Sequence, residues 1–157
     1  MVIQRWQSVM LLIAAVMMAC FSFVTIAQVD TPLQTLNFSC LGFSVEGTPT
    51  DGAPSGYVAY TWPLFVMSLL SAVIPFFAVF LFKSPRFQRS LCVMEMLFIV
   101  CVAVMTVWFG CYVYEDAPVH SWSALVCAPV IAFVAAAWAR RLIGKDMALL
   151  RAADRLR

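Results

Sequence analysis

The chain has 157 residues, of which 64% are hydrophobic and 11% are charged, with a mean hydropathy of +0.93 and a net charge of +2. A soluble domain carries about twice that charged fraction, and a chain this short has too little interior to bury so much apolar surface. The composition therefore excludes a soluble globular protein and indicates a membrane protein whose surface is largely covered by lipid.

Basic residues occur in only three parts of the chain, each beside a long apolar run. These parts are Arg5, the turn that contains Lys83, Arg86 and Arg89, and the tail from Arg140 to Arg157. No Lys or Arg occurs between these parts, and five of the eight acidic residues lie in the two predicted outer segments there: Asp30, Glu46, Asp51, Glu115 and Asp116. This is the positive-inside pattern. It predicts that both termini and the turn lie on the cytoplasmic side of a bacterial inner membrane.

The first apolar segment is predicted to span the membrane over residues 8–27. A cleaved leader is the alternative, but the run from Val9 to Ala27 exceeds the roughly 7–15 residues of a signal-peptide core. We therefore predict an uncleaved span. Residues 28–59 form the first outer loop, in which apolar and polar residues alternate on both sides of Gly42. This alternation predicts a small β-hairpin that packs on the outer ends of the helices.

Three further spans are predicted at residues 60–82, 90–113 and 121–139, because each segment is long and apolar enough to cross a bilayer. The last span carries a small residue at every fourth position, a stripe that allows close helix contacts. Its members are Ala124, Ala128, Ala132 and Ala136. Ala15, Ala19 and Ser22 offer a similar face on the first span. We expect the alanine stripe to mediate contact with a membrane-protein partner or self-association.

Residues 140–157 are predicted to form a cytoplasmic tail. Gly144 is expected to end the fourth helix and Asp146 to cap a new amphipathic helix. The tail has three interpretations: a topology anchor, a helix on anionic lipid, or a helix docked on a protein partner. We favour the partner, because Asp154 weakens a purely lipid-facing basic surface. The candidate contact residues are Arg140, Arg141, Met147, Leu150, Arg151, Arg155 and Leu156.

Glu95 is the only charged residue inside a predicted span. A carboxylate in a membrane is a candidate proton relay, ion ligand or substrate contact. Glu95 follows Arg89 by two helical turns, which places it about 8 Å below the inner surface. We expect a mainly structural role, in which the side chain reaches the interface or pairs with Lys83, Arg86 or Arg89.

Few residues offer other chemistry. His120, Glu115 and Asp116 share one outer turn and could hold a metal ion, but a polar start to the fourth helix is the better interpretation, so no metal site is expected. The sequence has no phosphate-binding glycine loop and one histidine, so we expect no enzyme and no cofactor. Nucleic-acid binding is not expected, because the tail lacks interleaved aromatic residues. Cys40 and Cys111 are the pair that could form a disulfide.

Three patches of the chain resemble a known family. They are Met1–Gln7, the turn from Lys83 to Cys92, and the segment from Ala139 to the Ala-Asp-Arg-Leu-Arg ending. These patches are similar to a domain-of-unknown-function family of four-span inner-membrane proteins from Bacteroidota. The resemblance implies a four-helix inner-membrane protein with an uncleaved first span, and it implies no activity. Glu95 departs from the amide or other polar residue expected in that family.

The predicted fold is an all-α membrane protein that forms one domain over residues 1–157. It is a four-helix transmembrane bundle with a small β-hairpin in the first outer loop and a cytoplasmic amphipathic C-terminal helix. The predicted function is that of a non-enzymatic accessory or scaffold subunit of a membrane assembly. The alternative is a small permease or channel subunit that uses Glu95.

Overall fold

A computed structural model describes residues 2–30, 35–45, 56–81, 84–112 and 119–155. Within these ranges the chain forms four long helices: α1 (Val2–Phe23), α2 (Trp62–Phe80), α3 (Pro85–Tyr112) and α4 (Ala128–Arg155). Four segments are long and apolar enough to cross a membrane. They begin at Trp6 in α1, at Trp62 in α2, at Pro85 in α3, and at Ala124, shortly before α4. The protein is therefore mostly helical, as predicted.

The helix interfaces follow from the spacing of the buried residues. On α1 and α3 the buried positions are separated alternately by three and four residues, the pattern of a helix bundle. The buried residues include Leu11, Ala14, Met18 and Phe21 on α1, and Cys92, Glu95, Ile99 and Val102 on α3. Each helix packs mainly against two neighbours, α1 and α3 both lying against α2 and α4. Large apolar side chains on the outward faces remain exposed, as expected for contact with lipid.

Five short strands form an antiparallel sheet at one end of this bundle, called the sheet end below. They are β1 (Ala27–Asp30), β2 (Thr35–Ser39), β3 (Gly42–Val45), β4 (Tyr57–Tyr60) and β5 (Val119–Trp122), in the order β4-β3-β2-β1-β5. The predicted hairpin is confirmed as β2 and β3, but the sheet is larger than predicted. It also includes residues directly after α1, directly before α2, and shortly before α4.

The inner face of the sheet continues the core of the bundle. Ala27, Val29, Leu36, Phe38 and Phe43 are all buried and belong to the same apolar cluster as residues of α1, α2, α3 and α4. The rings of Phe38 and Phe43 stack with centroids 4.7 Å apart. The small sheet is thus stabilised by packing on the helices, as a few short strands require.

The outer face of the sheet is polar. Gln28 Nε2 donates to Asn37 Oδ1 over 3.3 Å, and Ser121 Oγ donates to Gln28 Oε1 over 3.2 Å. These three residues lie side by side on β5, β1 and β2. Their hydrogen bonds tie the strand before α4 to the hairpin.

The fourth helix differs from the prediction at both ends. Residues 121 and 122, predicted to begin the fourth span, belong to β5 instead, and a 3-10 turn from Ala124 to Cys127 leads into α4. At the other end, α4 continues through Gly144 to Arg155 as one helix. The predicted break at Gly144 is wrong, because Ile143 remains buried in the core there and packing outweighs the roughly 1 kcal/mol by which glycine disfavours a helix.

The opposite end of the bundle, called the basic end, contains the start of α1, the end of α2, the start of α3 and the second half of α4. Asp146 lies within the continuous helix α4 and therefore does not cap a new helix; its carboxylate accepts a hydrogen bond from Gln7 Nε2 of α1. Gln88 Nε2 of α3 donates to the carbonyl oxygen of Ala78 on α2 over 3.1 Å. These two bonds align α1 with α4 and α2 with α3.

Candidate functional site

Glu95 lies in the interior of the bundle. Its side chain is fully buried, and neither carboxylate oxygen has a hydrogen-bond partner among the described residues. The predicted pairing with Arg86 or Arg89 is wrong: both arginines are exposed, whereas Glu95 lies seven residues from the buried Gln88 and therefore on the inward face of α3. The predicted pairing with Lys83 falls on a residue outside the described ranges.

Ser71 on α2 lies at the same depth as Glu95. The hydrogen bond from Gln88 to Ala78 sets the alignment of α2 and α3. Seven residues from Ala78 lead to Ser71, and seven from Gln88 lead to Glu95, so both lie about 10 Å further into the bundle. Two helical turns also return each helix to nearly the same face. The two side chains therefore belong to one interior layer of the bundle.

Ser71 shares the unusual condition of Glu95. Its Oγ is buried without a hydrogen-bond partner in the described part of the chain, as are both oxygens of Glu95. Ala72, next to Ser71 on α2, is a small buried residue. The layer thus contains a carboxyl group and a hydroxyl group, and it is the one part of the described interior where buried side-chain polar atoms lack hydrogen-bond partners.

A second set of polar groups lies between this layer and the sheet. Ser68, one turn before Ser71, donates to the carbonyl oxygen of Phe65 over 2.9 Å, and its Oγ is 3.1 Å from Ser22 Oγ of α1. Ser22 and Ser68 are both buried. Their hydroxyl groups link α1 to α2 and, unlike Ser71, are satisfied.

Cys40 extends this set into the sheet. Its thiol is buried and donates to the carbonyl oxygen of Phe21 over 3.4 Å, and Thr61 Oγ1 donates to the Cys40 carbonyl over 2.8 Å. Burial raises the pKa of the Cys40 thiol to about 11, although a hydrogen bond with Ser68 acts in the opposite direction. Cys40 is a free thiol, as is the exposed Cys111, so the disulfide considered for this pair is not present.

Sequence reasoning identified Glu95 but did not place it with other polar groups. The three-residue spacing of Ser68 and Ser71 puts both on one face of α2, and that spacing was the available signal. It could not show that this face meets Glu95, because the alignment of α2 with α3 is set by tertiary packing rather than by either helix alone.

The alanine stripe is used within the chain. Ala128, Ala132 and Ala136 are buried in the bundle, whereas Ala124 lies exposed in the 3-10 turn. Among the described residues, the interface between α1 and α4 is the most extensive contact between two helices. Three of the four alanines are therefore covered by the protein itself. Self-association through this stripe stays a prediction, and the burial of three of its alanines within the chain does not favour it.

The predicted contact residues of the tail fall at the end of α4. Arg141 is exposed, while Arg140 and Met147 are half-buried, and Met147 packs beside Leu11 and Ile143. The side chains of Leu150, Arg151 and Arg155 are outside what the structure describes, and Leu156 lies beyond the described residues. Glu115, Asp116 and the side chain of His120, which the sequence suggested as a possible metal site, also lie outside what the structure describes. In the described remainder of the chain no group of three potential metal ligands occurs.

A helical bundle with four segments able to cross a membrane, closed at one end by a small sheet, defines a multi-pass membrane protein. The chain matches the family described as "Domain of unknown function (DUF4293)" over residues 3–156, and it belongs to that family. A comparison with curated proteins found no match. The family match confirms the expected membership of a family of unknown function, whereas an origin in Bacteroidota stays a prediction.

Proposed function

We propose that this protein is a non-enzymatic accessory or scaffold subunit of a membrane assembly. The supporting observation is the filled interior at the sheet end. Phe21 of α1, Leu64 of α2, and Phe38 and Phe43 of the sheet are fully buried in one cluster on the sheet side of Glu95. A pore needs a continuous polar path. In the part of the interior that the structure describes, these apolar side chains interrupt any such path. A closed bundle acts on other molecules through its outer surface.

The end of α4 is the proposed contact with a protein partner. This helix continues past the apolar segment that ends at Leu149, so its last turns extend beyond the part suited to lipid. Leu149 is the last residue of that segment and is 60% exposed. It follows Arg140, Arg141 and Lys145 in α4, so it lies on the basic-end side of these cations, where we propose that a partner covers it. The inner-membrane location and the cytoplasmic position of both termini belong to this proposal.

Co-purification in a mild detergent tests the scaffold proposal. The full-length protein should recover a defined set of membrane proteins at constant stoichiometry in low and high salt. Leu149→Ala should reduce that recovery about tenfold, because the loss of an interface anchor typically costs 1–2 kcal/mol or more. Leu97→Ala is the matched control, since Leu97 is 59% exposed on α3 but lies in the middle of its apolar segment, Pro85–Cys111, where contact with lipid is expected, rather than at the end of one. Equal recovery with both variants, or loss of all binding in salt, would contradict the partner.

A small permease or channel subunit is the second candidate, and the polar layer favours it. A buried carboxyl group without a partner is costly, so it is retained more readily where a proton or cation is exchanged. Ser71 is at the same depth, and Ser68, Ser22 and Cys40 continue the polar groups towards the sheet. In this candidate Glu95 would carry the exchanged proton or bind the cation.

Substitution of Glu95 separates the two candidates. For a scaffold, Glu95→Met should stabilise the protein by about 2 kcal/mol, because a similar-sized apolar side chain removes a buried polar group that lacks a partner. Thermal unfolding in detergent measures this, and co-purification should remain unchanged. Glu95→Gln is the control, since it keeps the size and polarity and should change stability little.

For a permease, the same variants have a different result. Glu95→Gln should abolish proton- or cation-coupled uptake in reconstituted vesicles while leaving the fold intact, because an amide cannot exchange a proton at neutral pH. A loss of stability in Glu95→Met would show instead that the carboxyl group has a stabilising partner, and the scaffold interpretation of this residue would be wrong.

A further inference from the structure

An open groove lies between α3 and α4 at the basic end, with a volume of about 560 Å³. Four basic side chains line it. They are Arg89 from α3 and Arg140, Arg141 and Lys145 from α4. No carboxylate is among its lining residues. The groove is therefore a concentrated positive site formed by two helices, rather than a row of charges along one.

The nearest carboxylates on the two helices are directed elsewhere. Glu95 of α3 is fully buried in the bundle. Asp146 of α4 accepts a hydrogen bond from Gln7 on the opposite, α1 side. The positive charge of the groove is thus not neutralised by these neighbours, and an anion that entered it would meet attraction without competition from them.

Small residues create the space. Ala137, Gly144 and Ala148 recur along α4 at intervals of seven and four residues, so they lie on one face and form the floor of the groove. A Cβ atom added at Gly144 would meet no atom within 4 Å. The glycine that the sequence suggested as a helix stop therefore lies within a continuous helix and faces open space.

The groove continues into an apolar surface. A second depression on α4 shares Ala137, Arg141 and Lys145 with the first one and is otherwise lined by Phe133, Val134, Trp138 and Leu142. Phe133, Val134 and Trp138 precede the cations of α4 in the segment that can cross a membrane, so they lie on the sheet side of those cations, whereas Leu142 lies among them. The combined surface has basic side chains at one end and an apolar depression that runs along α4.

We propose that this surface binds one anionic phospholipid. The phosphate of the headgroup lies among Arg89, Arg141 and Lys145, and an acyl chain lies along α4 beside Trp138. Guanidinium groups bind phosphate in a bidentate manner, and basic pockets between membrane helices are suited to anionic headgroups. A soluble phosphate would contact only the basic side chains, whereas the apolar depression beside them is suited to the acyl chain of a lipid.

Native mass spectrometry of the full-length protein in detergent, titrated with phosphatidylglycerol or phosphatidylcholine, tests the proposal. Phosphatidylglycerol should remain bound under conditions that remove phosphatidylcholine. The triple variant Arg89→Gln, Arg141→Gln and Lys145→Gln should bind phosphatidylglycerol about a hundredfold more weakly, because each lost cation lowers the affinity about fivefold and the three effects multiply. Arg86→Gln is the matched control, because Arg86 is exposed on α3 but does not line the groove.

Gly144→Phe provides an independent variant that keeps every cation. Its side chain would occupy the open space of the groove, so phosphatidylglycerol binding should again fall about tenfold or more, with unchanged helical circular dichroism and melting temperature in the absence of lipid. Equal weakening by Arg86→Gln and the triple variant would overturn the site in favour of general surface charge. The lipid proposal would also be overturned if glycerol 3-phosphate bound as tightly as phosphatidylglycerol, because the apolar depression would then contribute nothing to the affinity.

Discussion

Replacing Gly42 by alanine is expected to destabilise the protein by about 4 kcal/mol. Gly42 begins β3 with a φ of +149°, and a Cβ atom there would lie 2.2 Å from the carbonyl oxygen of Ala59 on β4. Strain from the backbone conformation costs about 1–3 kcal/mol, and relief of the clash requires β3 and β4 to separate. Because the sheet shares its core with the bundle, the loss should appear in global unfolding, measured by thermal or denaturant titration in detergent.

Gly56→Ala is the matched control for this prediction. Gly56 also has a positive φ, +94°, but a Cβ atom there would meet nothing within 4 Å. Alanine there would introduce only backbone strain and no clash, so the expected loss of stability is about 1–2 kcal/mol. If the two variants lost the same stability, close packing of β4 on Gly42 would not contribute, and the sheet would be less tightly joined than its contacts indicate.

The four helices could be predicted because each has a long apolar signal that needs no partner to be recognised. The sheet could be predicted only in part. β2 and β3 are adjacent in the sequence and alternate around Gly42, whereas β1 pairs with β5 through Ala27 and Trp122, which are distant in the chain. The sequence places Ala27 and Trp122 at the ends of predicted spans, because a short strand beside an apolar run has no separate signal.

The candidate polar layer shows the same division between local and tertiary information. A lone carboxylate in an apolar span is visible in the sequence, so Glu95 was identified. The sequence does not show that the Glu95 side chain points into the bundle, because the nearby Arg86 and Arg89 suggest an ion pair instead. The alignment that places Ser71 at the same depth depends on one hydrogen bond between Gln88 and Ala78, which no pattern within either helix specifies.

The alanine stripe yields the second large effect. Ala132→Leu should destabilise the protein by about 3 kcal/mol, because Ala132 is fully buried and added methyl groups would force α4 away from the residues packed on it. Met18 and Phe21 of α1 belong to the same buried cluster as Ala132 and are also fully buried. Unfolding in detergent measures the loss.

Ala124→Leu is the control that distinguishes internal packing from self-association. Ala124 belongs to the same sequence stripe, but it is exposed in the 3-10 turn before α4, so leucine there should change stability by less than about 0.5 kcal/mol. A stripe used between copies of the chain would give the opposite pattern: Ala124→Leu would dissociate an oligomer seen by cross-linking, and Ala132→Leu would leave the monomer stable. Since three of the four alanines are already buried within one chain, the close approach that they permit is expected to serve the contact of α4 with the rest of the bundle, which leaves the outer faces and the end of α4 for partners.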